Sequence, residues 1–389
     1  MTIDLGLDPD ELATCVSCGL CLPHCPTFRV TGDEMRSPRG RIALMRAVET
    51  GAIEAGDEFV DAMDTCVQCR GCEPACPSSV PFGRLMTDTR VALAEQTSYQ
   101  PWWRRIGYRT LGNHRLLLAG SSLLAVAQRL RLVPSRRLGL PARLPIRRPA
   151  LRSSGCDVVL FTGCVMDAWM RDTHLAVQRV IESTGAGVTF LGAEGACCGA
   201  LHDHAGLADQ AHALAERVIA ATPPDIPVLL DSAGCGAAMK DYGRLLGTRD
   251  AAAFSSRVLD VHEWLAADID RLPEPTRVFD EPVAVQDACH LRHVQGAHDS
   301  VRTVLGRYVP IVELADDGLC CGAGGAYSVM QPELAAAIRE RKVGFIDRSG
   351  ARTVASANPG CAMHLQAAGL CVRHPLEIVD AAMRGLPLD

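Results

Sequence analysis

Near its start the chain reads Cys15-Val-Ser-Cys18-Gly-Leu-Cys21-Leu-Pro-His-Cys25-Pro26, and the pattern returns as Cys66-Val-Gln-Cys69-Arg-Gly-Cys72-Glu-Pro-Ala-Cys76-Pro77. Three cysteines spaced by two residues wrap a short turn and bring three thiolates to one side of a cubane iron–sulfur cluster. The fourth is sent away by the extra residue and the proline, and in two-cluster ferredoxins it ligates the other cluster. The expected ligand sets are therefore Cys15, Cys18, Cys21 with Cys76, and Cys66, Cys69, Cys72 with Cys25. The crossing holds two 4Fe–4S clusters close enough for fast electron transfer. Zinc, the alternative, needs only paired C-x-x-C knuckles around one tetrahedral ion, and neither a third cysteine nor the C-P ending.

Between the runs, Ser37-Pro38 reads as an N-cap and first helical position. Arg39 to Glu49 then carries Ile42, Leu44, Met45 and Val48 at helical spacing, and a second short helix is expected near Glu58 to Met63. The N-terminal unit is thus a helical ferredoxin-type domain. Arg39 and Arg41 are candidates for hydrogen bonds near a cluster, the alternative being surface helix charges.

The 389 residues leave room for two or three domains. A net charge of −6 lends a nucleic-acid role no support. A disulfide framework suits small secreted chains, whereas the start of this one shows no signal-peptide pattern, so the thiols are expected reduced, in the cytoplasm. No run of eighteen apolar residues predicts a membrane-spanning helix.

The charge is unevenly placed. From Thr97 to Cys156 there are twelve arginines and no Asp, Glu or Lys, which leaves the remainder at −18 (−6 minus 12). Within it Leu116 to Gln128 is uncharged and flanked by Arg115 and Arg129, with Trp102 and Trp103 near the segment's start. Such a stretch suits a helix lying at an interface. It is read as a packed linker helix, as a surface for an acidic partner, or as a peripheral contact with an anionic membrane. Pro134, Pro141, Pro145 and Pro149 mark a linker before a boundary near residue 150.

The remaining chain is duplicated. Cys164 follows the strand-like Asp157–Phe161, Cys197-Cys198-Gly199 follows Val188–Leu191, and Cys235 follows Val228–Asp231. Cys289, Cys320-Cys321-Gly322 and Cys361 follow Val283–Val285, Ile311–Leu314 and Thr353–Ser356 in the same order, at offsets of 125, 123 and 126 residues. Helical patterns alternate with these strands (Ala168–Ser183, Leu207–Ala221, Ala237–Leu246, His298–Leu305, Glu333–Asp347), so each half is expected to be an α/β module with a parallel sheet and a site at the strands' carboxyl ends. Cys164, Cys197, Cys198 and Cys235, and likewise Cys289, Cys320, Cys321 and Cys361, are expected metal ligands, four thiolates per module being able to hold a further iron–sulfur cluster. Gly163, Gly199, Gly234, Gly236, Gly322 and Gly360 are expected to let the backbone approach it. Cys156 and Cys371 lack counterparts and are read as buried structural cysteines. The expected organisation is a helical ferredoxin domain (1–96), an Arg-rich segment (97–154) and two cysteine-rich modules (155–272 and 273–389).

Two C-x-x-C-x-x-C-x-x-x-C-P runs followed by two C…CCG…G-C modules resemble the iron–sulfur subunit of bacterial glycolate oxidase. Gly32-Asp33-Glu34 leading to Pro38-Arg39-Gly40-Arg41-Ile42, Ser232-Ala-Gly-Cys235-Gly, Leu319-Cys-Cys-Gly322 and Ala357-Asn-Pro-Gly-Cys361 carry the likeness over nearly the whole chain. The superfamily also holds lactate-utilisation proteins, the anchor subunit of anaerobic glycerol-3-phosphate dehydrogenase and the heterodisulfide reductase catalytic subunit. In the last, the module ends in C-x-x-C and five cysteines build a non-cubane cluster; here Ser232 and Asn358 stand at the first of those positions. That departure disfavours thiol–disulfide chemistry. The resemblance implies a non-catalytic electron-transfer subunit, part of an oxidoreductase complex, that takes electrons from a separate flavoprotein oxidising glycolate or another 2-hydroxy acid and passes them towards membrane quinone. The alternatives are a heterodisulfide-reductase-like thiol–disulfide oxidoreductase, a subunit serving lactate or glycerol-3-phosphate oxidation, or an iron–sulfur sensor. No flavin or nicotinamide site is expected: Gly322-x-Gly324-Gly325 has Tyr327 where a dinucleotide motif needs its last glycine, so it is read as a turn. No Ser/His/Asp set appears. His202, His204, His290 and His293 lie near cysteines in sequence and are read as packing or surface residues, or as cluster or quinone neighbours.

Overall fold

A computed structural model describes residues 3–133, 141, 143–193 and 195–388. Pro134, Arg136 and Arg137 lie outside them.

The N-terminal unit is helical. Ser37 caps Pro38–Glu49, its hydroxyl accepting from the Gly40 N–H, and Pro38 takes the position where a missing N–H costs nothing. Ile42, Met45 and Val48 face inward at helical spacing and meet Phe59 and Met63 of Asp57–Asp64. A further helix, Phe82–Gln96, closes this core with Leu85, Met86 and Leu93. The Arg-rich segment folds as a helical pair, Trp102–Leu111 and His114–Arg129, the second capped by the Asn113 side chain.

The rest forms two four-stranded parallel sheets of identical topology. β1 (Val158–Phe161), β2 (Val188–Thr189), β3 (Val228–Leu230) and β4 (Val258–Asp260) lie in the order β2-β1-β3-β4; β5 (Val283–Val285), β6 (Ile311–Glu313), β7 (Thr353–Ala355) and β8 (Cys371–Arg373) lie in the order β6-β5-β7-β8. Val159 pairs with Val228 and Ala284 with Val354, so β1 and β5 are the central strands of matching registers. The duplication extends beyond the cysteines: Asp260 and His374 each close a capping box, with Glu263 and Glu377, at the start of the helix after the fourth strand.

The two modules share one apolar core, in which Val158, Leu229 and Val261 of the first meet Val283, Val354 and Val379 of the second. Outside it, Arg179 of Arg171–Ser183 grips Asp380 of Pro375–Arg384 through two bonds of 2.8 and 2.6 Å. The N-terminal unit is fastened to both modules. Arg90 donates to the carbonyls of Met63, Cys66 and His204, and Gln331 Nε2 donates to Asp64 Oδ2.

Cys156 and Cys371 correct one expectation. Both are exposed and thus no part of the core.

Candidate functional site

The two N-terminal runs adopt the same backbone. Ser17 and Gln68, and Gly19 and Arg70, occupy equivalent positions with positive φ, an unusual state for three of the four residue types. Cys15, Cys18, Cys21, Cys72 and Cys76 line one small cavity of about 30 Å³ beneath Arg39. Cys25, Cys66, Cys69 and Cys72 are all buried and close enough to influence one another's ionisation. The first group reaches the surface, where Cys18 is exposed; the second is interior. Burial pushes the Cys25 thiol up to about 11, against the pull of the neighbouring Arg41 guanidinium. Burial likewise raises Cys72, with the adjacent cysteines adding to it. Thiols that resist ionisation this strongly become thiolates when a cationic centre binds them.

The two arginines differ. Arg39 sits at the surface, donating 2.6 Å to Glu34 Oε1 and 3.0 Å to the Ser17 carbonyl. Arg41 is fully buried, donating to the Ala62 carbonyl at 2.7 Å, with Nη1 3.9 Å from the Cys25 sulfur. It is therefore no surface charge.

In each module the cysteines fall at the carboxyl ends of the strands. Because β1 and β5 are central and all strands are parallel, the turns after three neighbouring strands converge on one spot. Gly199 and Gly322 follow the paired cysteines with φ of +77° and +91°. A side chain on Gly322 would strike the Ala335 carbonyl at 2.7 Å, so the cysteine pair reaches its place only because glycine follows it.

The two sites face each other. All eight module cysteines line a single cavity of about 180 Å³, together with Val67 of the N-terminal unit, Met166, Met363, His204 and His290. Cys164 lies within hydrogen-bonding reach of Cys197, Cys198 of Cys235, Cys289 of Cys320, and Cys321 of Cys361. Cys320 also reaches Cys69 of the second N-terminal group. Donation from Cys164 holds the Cys197 thiol well below its ordinary range, and donation from Cys320 does the same for Cys321. Asn358 lines the cavity and donates from Nδ2 to the Cys361 sulfur at 3.4 Å, while Ser232 lines it on the first module's side. Gly163, Gly234 and Gly360 line it too, as do Gly324 and Gly325 in a turn; Gly236 instead packs on Gln295.

Of the four histidines, His204 and His290 line the cavity, their rings edge-to-face at 5.4 Å. Burial lowers both, His204 well below the ordinary imidazole range, which favours the neutral ring. His202 is tied to the Tyr108 carbonyl and His293 to that of Gly318.

Among the described residues no group of three or more His, Cys, Asp or Glu is arranged to hold a single metal ion. The donor set does fit iron–sulfur clusters: sulfur-only, in fours, buried beside backbone amides such as the N–H of Gln68 on Cys66 and that of Gly322 on Cys320, each 3.4 Å.

Residues 11–80 match the 4Fe-4S dicluster domain, and residues 158–240 and 283–366 each match the cysteine-rich domain. The chain is 32% identical to the probable glycolate oxidase iron-sulfur subunit of Bacillus subtilis, with 92% of this chain and 89% of that protein covered. It is also 32% identical to the glycolate oxidase iron-sulfur subunit of Escherichia coli, over 97% and 96% of the two chains. The chain belongs to the family of glycolate oxidase iron–sulfur subunits. The dihydromethanophenazine:CoB–CoM heterodisulfide reductase of Methanosarcina acetivorans contains a more distant relative, 27% identical over 95% of this chain and 92% of that one. This family member is thus an iron–sulfur protein of an oxidoreductase complex of the glycolate oxidase type.

Three features of the site escape a reading of the sequence. Asn358 is legible there only as a missing cysteine. Arg90 sits in a helix that carries no motif. The partnership of the two modules in one cavity depends on contacts between elements more than a hundred residues apart, such as Ala233 N–H to the Ala357 carbonyl.

Proposed function

We propose that this chain is the electron carrier between a separate flavoprotein, which oxidises glycolate or another 2-hydroxy acid, and membrane quinone. Cys15, Cys18, Cys21 and Cys76 hold an outer 4Fe–4S cluster; Cys66, Cys69, Cys72 and Cys25 hold an inner one. Cys164, Cys197, Cys198 and Cys235, and Cys289, Cys320, Cys321 and Cys361, hold further iron–sulfur centres. The domain division follows these groups: 1–96, 97–154, 155–272 and 273–389.

The observation that carries the reading is the continuity of the cysteine groups. They begin at exposed Cys18, share a wall at Cys72, meet the second module where Cys69 reaches Cys320, and end across the common cavity at Cys164 and Cys197. Bound clusters supply one-electron redox chemistry; the protein supplies spacing, insulation and hydrogen bonds to sulfur. Arg41, Asn358 and the amides of Gln68 and Gly322 are the groups on this chain that stabilise added negative charge. Exposed Val16 and Leu20 beside Cys18 offer the flavoprotein an apolar contact at the entry point. Ser232 and Asn358, which replace the extra cysteine of heterodisulfide reductases, favour a carrier over a thiol–disulfide enzyme. Eighteen cysteines, with no disulfide among the described residues, favour work on the cytoplasmic side.

The test is purification of the native complex with iron and flavin analysis. The expected result is flavin on another polypeptide, at least about eight irons on this one, and no oxidation of glycolate or lactate by the isolated chain with artificial acceptors. Turnover by the isolated, flavin-free chain overturns the carrier reading.

A further inference from the structure

The helical pair of the Arg-rich segment presents an unusual exterior. Nine of the sixteen exposed large apolar side chains among the described residues fall between Trp102 and Ile146. On His114–Arg129 the outward stripe is Leu116, Ala119, Gly120, Leu123 and Val126, continued by Leu130, with no charge in it; Leu123 is 72% exposed. Trp102, 74% exposed, Trp103 and Ile106 extend the patch along the neighbouring helix. Exposed Arg109, Arg115 and Arg131 rim it. Solvated helices carry charge on such faces, and a contiguous apolar patch of this kind marks a contact surface.

The same helix has a second face. Leu117 packs on Cys164 and Cys197, Ser121 accepts from the Trp169 indole N–H, and Ala125 is fully buried. One helix, about 10 Å thick, therefore separates the patch from the first module's cysteines.

We propose that this helical pair docks on the surface of an anionic phospholipid bilayer, and that it does so to bring the first module's cysteine site to the membrane. The apolar stripe and the tryptophans enter the headgroup–acyl boundary while the rim arginines meet lipid phosphates. Charge complementarity selects this occupant. The segment has twelve arginines and no acid, whereas the remainder of the chain carries −18 and is on balance repelled by the same surface, so this is the face that an anionic surface favours. Among the described residues no helix is long and apolar enough to cross a membrane, which agrees with a helix lying in the interface plane. The inference deepens the carrier reading, on which it rests for its purpose, by naming where electrons leave.

Not every arginine takes part. Arg104 and Arg105 are committed to partners of their own chain, the first near Asp64 and the second, though exposed, to the carbonyls of Gln100 and Ala94. Arg129 and Arg148 also bond to carbonyls of their own chain.

The experiment uses the full chain with its clusters assembled anaerobically, sedimented with vesicles of phosphatidylglycerol or of phosphatidylcholine at low and high salt. Sedimentation with phosphatidylglycerol is expected, weakened by salt, with a blue shift of tryptophan fluorescence. Arg109→Gln, Arg115→Gln and Arg131→Gln should each weaken binding about fivefold at low salt, and Leu116→Gln with Leu123→Gln should abolish it. All five positions are exposed, so these variants fold. Equal sedimentation with phosphatidylcholine, sedimentation indifferent to the variants, or no sedimentation with phosphatidylglycerol at low salt overturns the proposal. Iron per chain and reducibility by dithionite, measured on the same samples, report on the carrier reading separately.

Discussion

The Arg41 guanidinium lies 3.9 Å from the Cys25 sulfur, in the interior, where no solvent screens it. With Cys25 a ligand of the inner cluster, as proposed, a fixed positive charge beside its sulfur stabilises the more negative, reduced state of that cluster. Arg41→Leu should therefore lower the inner cluster's reduction potential by tens of millivolts, a tenfold change in a one-electron equilibrium corresponding to about 59 mV. Arg41→Lys should recover part of the shift. Potentiometric titration followed by electron paramagnetic resonance measures it, and an unchanged potential in Arg41→Leu removes Arg41 from the tuning groups.

Arg90 joins the N-terminal unit to the first module by a 2.8 Å bond to the His204 carbonyl, while bonds of 2.7 Å to Met63 and 2.8 Å to Cys66 carbonyls anchor it within its own unit. Hydrogen bonds to a charged group are each worth about 1.5–3 kcal/mol, and loss of the donor leaves buried carbonyls unpaired. Arg90→Leu should destabilise the chain by at least about 3 kcal/mol on that scale. Limited proteolysis should then cut between residues 97 and 101 before either part is degraded.

How far the fold can be read depends on what each element announces. Ser37-Pro38, the two cysteine runs and the alternating modules carry local signals, and the helices Pro38–Glu49 and Asp57–Asp64 and six strands stand where these place them. β4 and β8 carry no such signal. Val258-Leu-Asp260 and Cys371-Val-Arg373 are too short for periodicity, and only the capping boxes that follow them mark their ends. Cys371 lacks a counterpart, which suggests a buried structural role, yet it opens an edge strand of the sheet and is exposed. The shared cavity is not legible at all, since nothing local tells two α/β modules to turn their strand ends towards each other.

On the proposed electron path, the contact of Cys69 with Cys320 makes the second module the first stop beyond the N-terminal unit. Cys320→Ser with Cys321→Ser should reduce iron per chain and slow reoxidation of the N-terminal clusters by quinone on membranes. Cys197→Ser with Cys198→Ser should also reduce iron, yet leave electron entry into the second module intact. If neither pair lowers the iron content, the module cysteines are structural.

Behind the first module's site lies a buried group of histidines and aspartates whose members respond to pH in opposite directions. His174 Nε2 donates to the Thr162 carbonyl at 2.9 Å and Nδ1 faces Asp231 Oδ2 at 2.6 Å. Both ring nitrogens meet acceptors, so the ring is an imidazolium. Burial opposes that charge, but Asp231 outweighs burial and raises the pKa. His374 is the reverse case: its Nδ1 accepts the Leu376 N–H as a helix cap, which requires a neutral ring, and burial with the nearby His262 lowers it to about 4. The signs follow from linkage. His174 contributes stability that is full below the ordinary histidine pKa of about 6.5 and is lost as pH rises through its raised value. His374 contributes stability that is full above about 6.5 and is lost as pH falls towards 4, by a few kcal/mol at most. His374→Asn keeps a capping acceptor and removes the titration, so it should flatten the loss of stability between about pH 6.5 and 4. His174→Asn leaves Asp231 buried without its cation, and should destabilise most at low pH and least above neutrality. Denaturant midpoints of both variants and the parent, taken across pH 4.5 to 8.5, should diverge in opposite directions; parallel profiles reject the protonation states assigned to both rings.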